Sequence, residues 1–244
     1  MEISCAIIRC TKKLGQSEMK YSKVIAIDGP SGSGKSTIAK MVAAKLGSIY
    51  IDTGAMFRGI GLHLSEKNIS DSDIEQISSE LSQMKFEYGN SEENLITIDG
   101  RNLTCDIRQH HVSDIASRYS KVPIIREYLK SFQQELGEKK SCVMEGRDIG
   151  TVIFPNSYCK IFLTATDEVR ADRRQKQLAE KGESVSIEQL IKDIKQRDER
   201  DSQRELAPLV KAGDATEILT DHYTIDEVIE KILEIEQSLQ ARVS

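Results

Sequence analysis

The segment Gly29-Pro30-Ser31-Gly32-Ser33-Gly34-Lys35-Ser36 limits what this chain can fold into more than any other feature. It fits G-x-x-x-x-G-K-[ST] and stands between a strand-like and a helix-like stretch. Ahead of it, Val24 to Asp28 reads VIAID, a short β-branched run ending in turn residues, which predicts a buried strand. Behind it, Ile38, Val42 and Leu46 recur at four-residue steps among Ala39, Ala43 and Ala44. That spacing predicts a helix from Lys35 to Leu46, stopped at Gly47. Glycines let such a loop wrap closely with its amide N–H groups turned inward, and the helix N-terminus adds its positive dipole end. The segment is therefore an anion cradle suited to a nucleoside triphosphate: Lys35 brings a mobile charge to the β- and γ-phosphates, and the Ser36 hydroxyl is placed to coordinate Mg2+.

The rest of the chain reads as an α/β fold. Short strands are predicted at Ile49 to Asp52, Cys142 to Glu145, Ile161 to Thr164 and Ile218 to Thr220, separated by helix-length segments, which points to a parallel sheet covered by helices in three layers. Lys85 to Tyr88, Asn94 to Asp99 and Asn102 to Asp106 look instead like short antiparallel strands, with Asp99-Gly100 as a hairpin turn. The expected organisation is an N-terminal extension over 1–22, read as disordered, a core over 23–64 and 107–244, and an inserted lobe over 65–106. Pro123 opens a helix expected to end near Leu136, before Gly137, and Ser186 with Gln189 forms a capping-box pair ahead of Leu190, Ile191 and Ile194. A last amphipathic helix runs from Ile225 to about Leu239.

Composition excludes several classes. Apolar residues at 39% against 30% charged suit a soluble globular protein, and no apolar run approaches the roughly 20 residues of a membrane helix. A formal net charge of −5 argues against a nucleic-acid surface, so any phosphate site must be a local basic cluster. The 5 cysteines form no CxxC pair, which suits a reducing compartment, and Arg9 interrupts the only candidate signal run. A cytoplasmic monomer is expected, with translation starting at Met19. A regulatory NTPase switch is disfavoured because no N-K-x-D sequence occurs. His63, His110, His111 and His222 show no ligand spacing and are read as structural or exposed.

The arginines fall in a pattern. Arg58 follows the strand ending at Asp52, and Arg147 and Asp148 follow the strand ending at Glu145, at the carboxyl edge where ligands bind in such sheets. On the helix from Ser186, the stripe of Leu190 and Ile194 is continued by Arg197, Asp201 and Arg204. Such charges either emerge into solvent or face a polar ligand. Arg170, Arg173 and Arg174 cluster on the preceding helix.

With these residues in view, the chain resembles the bacterial cytidylate kinases of the P-loop nucleoside monophosphate kinases from about Val24 to its end. The resemblance is carried by IDGPSGSGKST, DTGAMFR, EGRDIGTVIFP and RDERDSQRELAPL in that order. It implies an ATP site made by Gly29, Pro30, Ser31, Gly32, Ser33, Gly34, Lys35, Ser36 and Thr37, with Arg170, Arg173 and Arg174 in a short lid over about 170–186. It further implies that Arg58, Arg147 and Arg197 grip the phosphate of CMP or dCMP, that Asp201 with Arg197 reads the sugar, and that Ser117, Arg126 and Asp148 meet the cytosine edge. Thr53 and Phe57 fall in the same CMP-binding set, and Arg204 helps close the site. Lys35, Arg147 and Arg174 are the implied catalytic groups, with Mg2+ at Ser36. One departure is Phe57, where the family commonly has Tyr. The expected acceptor is a phosphate whose second ionisation lies near pKa ~6, already a dianion at neutral pH, so no general base is needed. Kinases acting on UMP, AMP or shikimate are the nearest rivals, sharing everything up to the base-reading residues.

Overall fold

The computed structural model describes residues 22–89, 91, 93–180 and 182–243, so the expectations for the extension and for Met19 lie outside the described residues. The chain forms two compact units, one of Asp52–Leu136 and one of the described residues before Asp52 and after Leu136.

The larger unit opens with β1 (Ser22–Asp28), α1 (Lys35–Lys45) and β2 (Ile49–Asp52). Val24 to Ile27 are at most 3% exposed, as expected of a central strand buried on both faces, where the sequence must be apolar without alternation. The helix stops at Leu46, and Gly47 takes the left-handed conformation (φ 61°) that ends it.

The smaller unit holds α2 (Thr53–Glu66), α3 (Ile74–Gln83), β3 (Phe86–Tyr88), β4 (Ile96–Ile98), β5 (Arg101–Asn102), α4 (His110–Tyr119) and most of α5 (Pro123–Lys139). Its three strands form an antiparallel sheet in the order β3-β4-β5. Asp99 and Gly100 both have positive φ (51° and 82°), the geometry of the tight turn that their sequence predicts. The expected strand over Asn102 to Asp106 is not formed. The Thr104 hydroxyl takes the amides of Leu95 and Ile96 (2.8 and 3.1 Å), which ends the ladder, and Asp106–Arg108 turn into a 3-10 helix. Met56, Ile60, Leu64, Ile77, Ile96, Ile98 and Phe132 are buried in this unit, with Phe86 edge-on to Phe132 at 5.0 Å.

The larger unit resumes with β6 (Cys142–Gly146), β7 (Ser157–Thr164), α6 (Asp167–Ala179), α7 (Ile187–Ser202), β8 (Thr216–Leu219) and α8 (Ile225–Val243). Its sheet runs β2-β6-β1-β7-β8, with β6, β7 and β8 joined through parallel pairings. Ile27, Ile161 and Leu163 pack with Ile38 and Val42 of α1 and Val228, Ile229 and Ile232 of α8, while α6 and α7 share a separate small core of Ala171, Leu178, Leu190 and Ile194. α5 does not end before Gly137 but runs through it. A Cβ there would stand 2.4 Å from Phe154 Cζ and 2.8 Å from Val24 Cγ2, so this glycine permits a close approach and is not a stop. At α7 the Ser186 hydroxyl caps the Gln189 amide (3.2 Å), but the Gln189 side chain donates to Asp193 (2.7 Å), leaving a cap without the reciprocal half of the box.

Candidate active site

The cradle begins where β1 ends. Gly29 has φ 150° and passes so close to β7 that a Cβ would lie 1.9 Å from the Leu163 carbonyl oxygen, so glycine alone fits. Gly32 and Gly34 also have positive φ (78° and 89°), which turns the loop into the first turn of α1. Ser36 and Thr37 are exposed in that turn. The Lys35 side chain is 5% exposed, and its ammonium donates to the Pro30 carbonyl (2.6 Å) and to Ser33 Oγ (3.3 Å). Burial pushes Lys35 down to about 7, the Arg147 and Arg197 guanidiniums push the same way, and Glu145 and Asp28 oppose them.

Arg147 leaves the end of β6 and donates through Nε to Asp201 Oδ2 of α7 at 3.0 Å. Burial alone would raise Asp201, yet Arg147, Arg204 and Arg197 together outweigh it and hold the carboxyl below its ordinary value. Arg204 donates through Nε to the Asp201 carbonyl at 3.2 Å. Four of the predicted residues, Arg147, Arg197, Asp201 and Arg204, are thus one electrostatic cluster, and two of them act on Lys35. Asp201 is buried, so at this residue α7 is not a solvated face. Asp148, also in the larger unit, is 5% exposed.

In the smaller unit, Asp52 caps α2 by accepting from the Ala55 amide (2.8 Å), and its other oxygen accepts from Arg58 Nη2 (2.9 Å). Thr53 is buried beside it. The Arg126 guanidinium lies 5.4 Å from the centre of the Phe57 ring and donates to the Ser120 carbonyl (3.2 Å), while Ser120 Oγ donates to the Ser117 carbonyl (3.0 Å). Phe57, Ser117 and Arg126 are therefore neighbours in one unit.

The three α6 arginines differ. Arg170 is 4% exposed and donates through Nη1 to the Ser31 carbonyl (3.0 Å) and to Asp198, and through Nη2 to Asp167. Arg173 donates to the Ser33 carbonyl (3.4 Å) and to the side chain and carbonyl of Thr220 (3.0 and 3.1 Å). Arg174, half-buried, makes no hydrogen bond or ion pair among the described residues.

Sequence reasoning passed over two buried acids. Asp28 accepts from the amides of Ile149 (2.9 Å) and Gly150 (2.7 Å), at the head of a single π-helical turn, Ile149–Ile153. Burial raises Asp28 to about 6 against the pull of those two amides. Glu145 is 4% exposed and accepts from the Tyr50 hydroxyl at 2.5 Å. Asp28 ends β1 and Glu145 is the last residue but one of β6, and a charge closing such an apolar run is buried only with partners, which was the signal available.

The family model described as cytidylate kinase matches residues 25–238. A cytidylate kinase of Thermosipho africanus is 49% identical over 212 residues, 86% of this chain and 93% of that protein. One of Caldicellulosiruptor saccharolyticus is 49% identical over 215 residues, and one of Clostridium tetani 44% identical over 215, covering 86% and 88% of this chain and 94% of each relative. A shared phosphate loop alone does not produce identity at this level along nearly the whole of each relative, and the chain belongs to the cytidylate kinase family.

Proposed function

We propose that the protein transfers the γ-phosphoryl group of ATP to CMP and dCMP, giving ADP with CDP or dCDP. The observation that carries this reading is that Lys35, at the head of the cradle, lies in the field of Arg147 and Arg197, the same two guanidiniums that Asp201 gathers with Arg204. Two anions repel, so the chain's task is to hold them close and in line while charge spreads over the transferred group. In the larger unit, Lys35 meets the β- and γ-phosphates, Arg147 and Arg197 the CMP phosphate, Asp201 the sugar and Asp148 the cytosine edge, with Arg204 closing the site. In the smaller unit, Arg58 serves the phosphate, Ser117 and Arg126 the base, and Thr53 and Phe57 line the same substrate. Arg174, the lid arginine without a partner among the described residues, is the one free to meet the transferred group.

The exposed Ser36 hydroxyl in the first turn of α1 is a hard oxygen donor beside the cradle and fits Mg2+, which it would hold together with ATP oxygens. When bound, Mg2+ neutralises charge on the β- and γ-oxygens. Arg170 and Arg173 already bond the cradle, so of the lid over 170–186 the part beyond them would close on both substrates, with Gly182, at φ 78°, as its hinge.

The protein is further proposed to work as a cytoplasmic monomer. Cys142 and Cys159 are buried free thiols that burial pushes up to about 12, a state suited to a reducing compartment. No helix among the described residues is long and apolar enough to cross a membrane.

ADP release with Mg-ATP and CMP, dCMP, UMP, AMP, GMP or shikimate tests the reading. Fast turnover with CMP and dCMP is expected. Faster turnover with AMP or shikimate would overturn it.

A further inference from the structure

The outer side of the phosphate cradle is held by side chains. Ser31 offers its carbonyl to Arg170 Nη1 at 3.0 Å, and Ser33 offers its carbonyl to Arg173 Nη1 at 3.4 Å. A trans peptide is planar, with its C=O and the following N–H pointing in opposite directions. Fixing the Ser31 carbonyl therefore fixes the direction of the Gly32 amide, which points away from Arg170. Gly32 has no side chain to hold it and sits at φ 78°, a region where glycine moves freely, so its orientation has to come from outside.

Arg170 is itself immobilised. Its guanidinium is buried and paired with two carboxylates, Asp167 within α6 and Asp198 on α7. Its Cβ would stand 3.2 Å from a Cβ built on Gly32, so the helix backbone lies directly behind the loop. Among the described residues Asp198 reaches the cradle only through Arg170, yet it neighbours Arg197 on the helix that also carries Asp201. α6 and α7 share a small core of their own, and Arg170 links that pair of helices to the loop.

We infer that Asp198 and Arg170 form a positioning pair: Asp198 anchors Arg170, and Arg170 holds the Ser31–Gly32 peptide so that the Gly32 amide faces the bound phosphates. In this role Arg170 acts on ATP through the loop and not by direct contact. The inference rests on the reading of Gly29–Ser36 as the ATP cradle.

The test compares Asp198→Asn, Asp198→Ala, Arg170→Ala and the Arg170→Ala/Asp198→Ala double variant in the full chain. Steady-state kinetics with ATP and CMP are combined with amide hydrogen exchange over residues 29–36 without nucleotide. Each single variant should raise KM for ATP about tenfold, the size typical of losing a partner that orients a binding group, with KM for CMP changed far less. The double variant should cost no more than the worse single one, because both act through one contact. Loop amides should exchange faster in all of them before any nucleotide is added. If Arg170→Ala weakens ATP while Asp198→Ala and Asp198→Asn do not, Arg170 touches the nucleotide itself and the inference fails. Unchanged loop exchange in the folded variants also overturns it. Should Asp198→Ala not fold, the near-isosteric Asp198→Asn decides alone. Failure of the cradle reading is distinguishable, because wild-type protein would then show no ATP turnover, whereas the exchange measurement needs none.

Discussion

Arg147 and Asp201 come from elements 54 residues apart and meet at 3.0 Å, Nε to Oδ2, with both side chains largely withdrawn from solvent. A guanidinium held through Nε by a carboxylate and through Nη1 by the Gly146 carbonyl (3.3 Å) has its plane fixed, a ready partner for a phosphate. Arg147→Ala should therefore lower kcat/KM for CMP by about 100-fold, worth ~3 kcal/mol, while KM for ATP moves little. Steady-state kinetics varying each substrate in turn checks this, and equal weakening of both substrates would move Arg147 out of the acceptor site.

Lys35 is held against its own interest. Burial and two guanidiniums push it down to about 7, so between about 7 and the ordinary lysine value the folded chain binds fewer protons than the unfolded one. Stability from this residue accordingly rises with pH across that window and is lowest below it. Lys35→Met should abolish turnover, melt at a higher temperature than wild type at pH 7 without nucleotide, and lose that advantage towards pH 10. ATP brings the missing negative charge, so its binding at pH 8.5 should take up protons, seen by titration calorimetry in buffers of differing ionisation enthalpy. Lys35→Met should show no such uptake.

Gly137 lies inside α5, where glycine normally costs helix stability, yet alanine should be worse. Its methyl would overlap Phe154 and Val24. Gly137→Ala should destabilise the protein by about 1–3 kcal/mol despite its better helix propensity. Urea unfolding measures it, and a stabilised variant would mean that the helix end is free to shift.

The same residue shows where sequence reading stopped. A glycine after an apolar helical run signals a terminus by local rules, and only the ring of Phe154, 17 positions later, reveals its packing role. β7 was legible from Ile161 because its apolar run starts there, but it begins at Ser157. Lys160 breaks the pattern and is buried nonetheless, with Asp214 (2.7 Å) and the Pro155 carbonyl (2.6 Å) as partners. The α4 helix (His110–Tyr119) went unread, since it opens without a capping side chain. β1, α1 and the cradle were legible because strand, glycine spacing and helix all lie within one short stretch. The gathering of Arg147, Arg197, Asp201 and Arg204 depends on crossovers that periodicity does not specify, and family resemblance supplied it. That Arg170 is already committed to a loop carbonyl could not be read from either source.

Asp28 connects the cradle strand to the turn that carries Arg147 and Asp148, through its bonds to the Ile149 and Gly150 amides. Burial raises it to about 6, the two amides and Lys35 resist, and Asp148 adds to the rise. Between the ordinary aspartate value and about 6 the folded chain holds a proton that the unfolded chain has lost, so stability from this residue falls as pH rises through that window. Asp28→Asn cannot ionise, and its stability relative to wild type should therefore climb by about 2 kcal/mol from pH 4 to pH 6.5. At pH 8 the same variant offers one carbonyl oxygen to two amides and adds an N–H group facing them. The turn should loosen, and kcat/KM for CMP should drop about tenfold with the fold intact. Denaturant unfolding across the pH range, with kinetics at pH 8, checks both halves. A stability difference independent of pH would mean that Asp28 is ionised throughout and that its two amides outweigh burial.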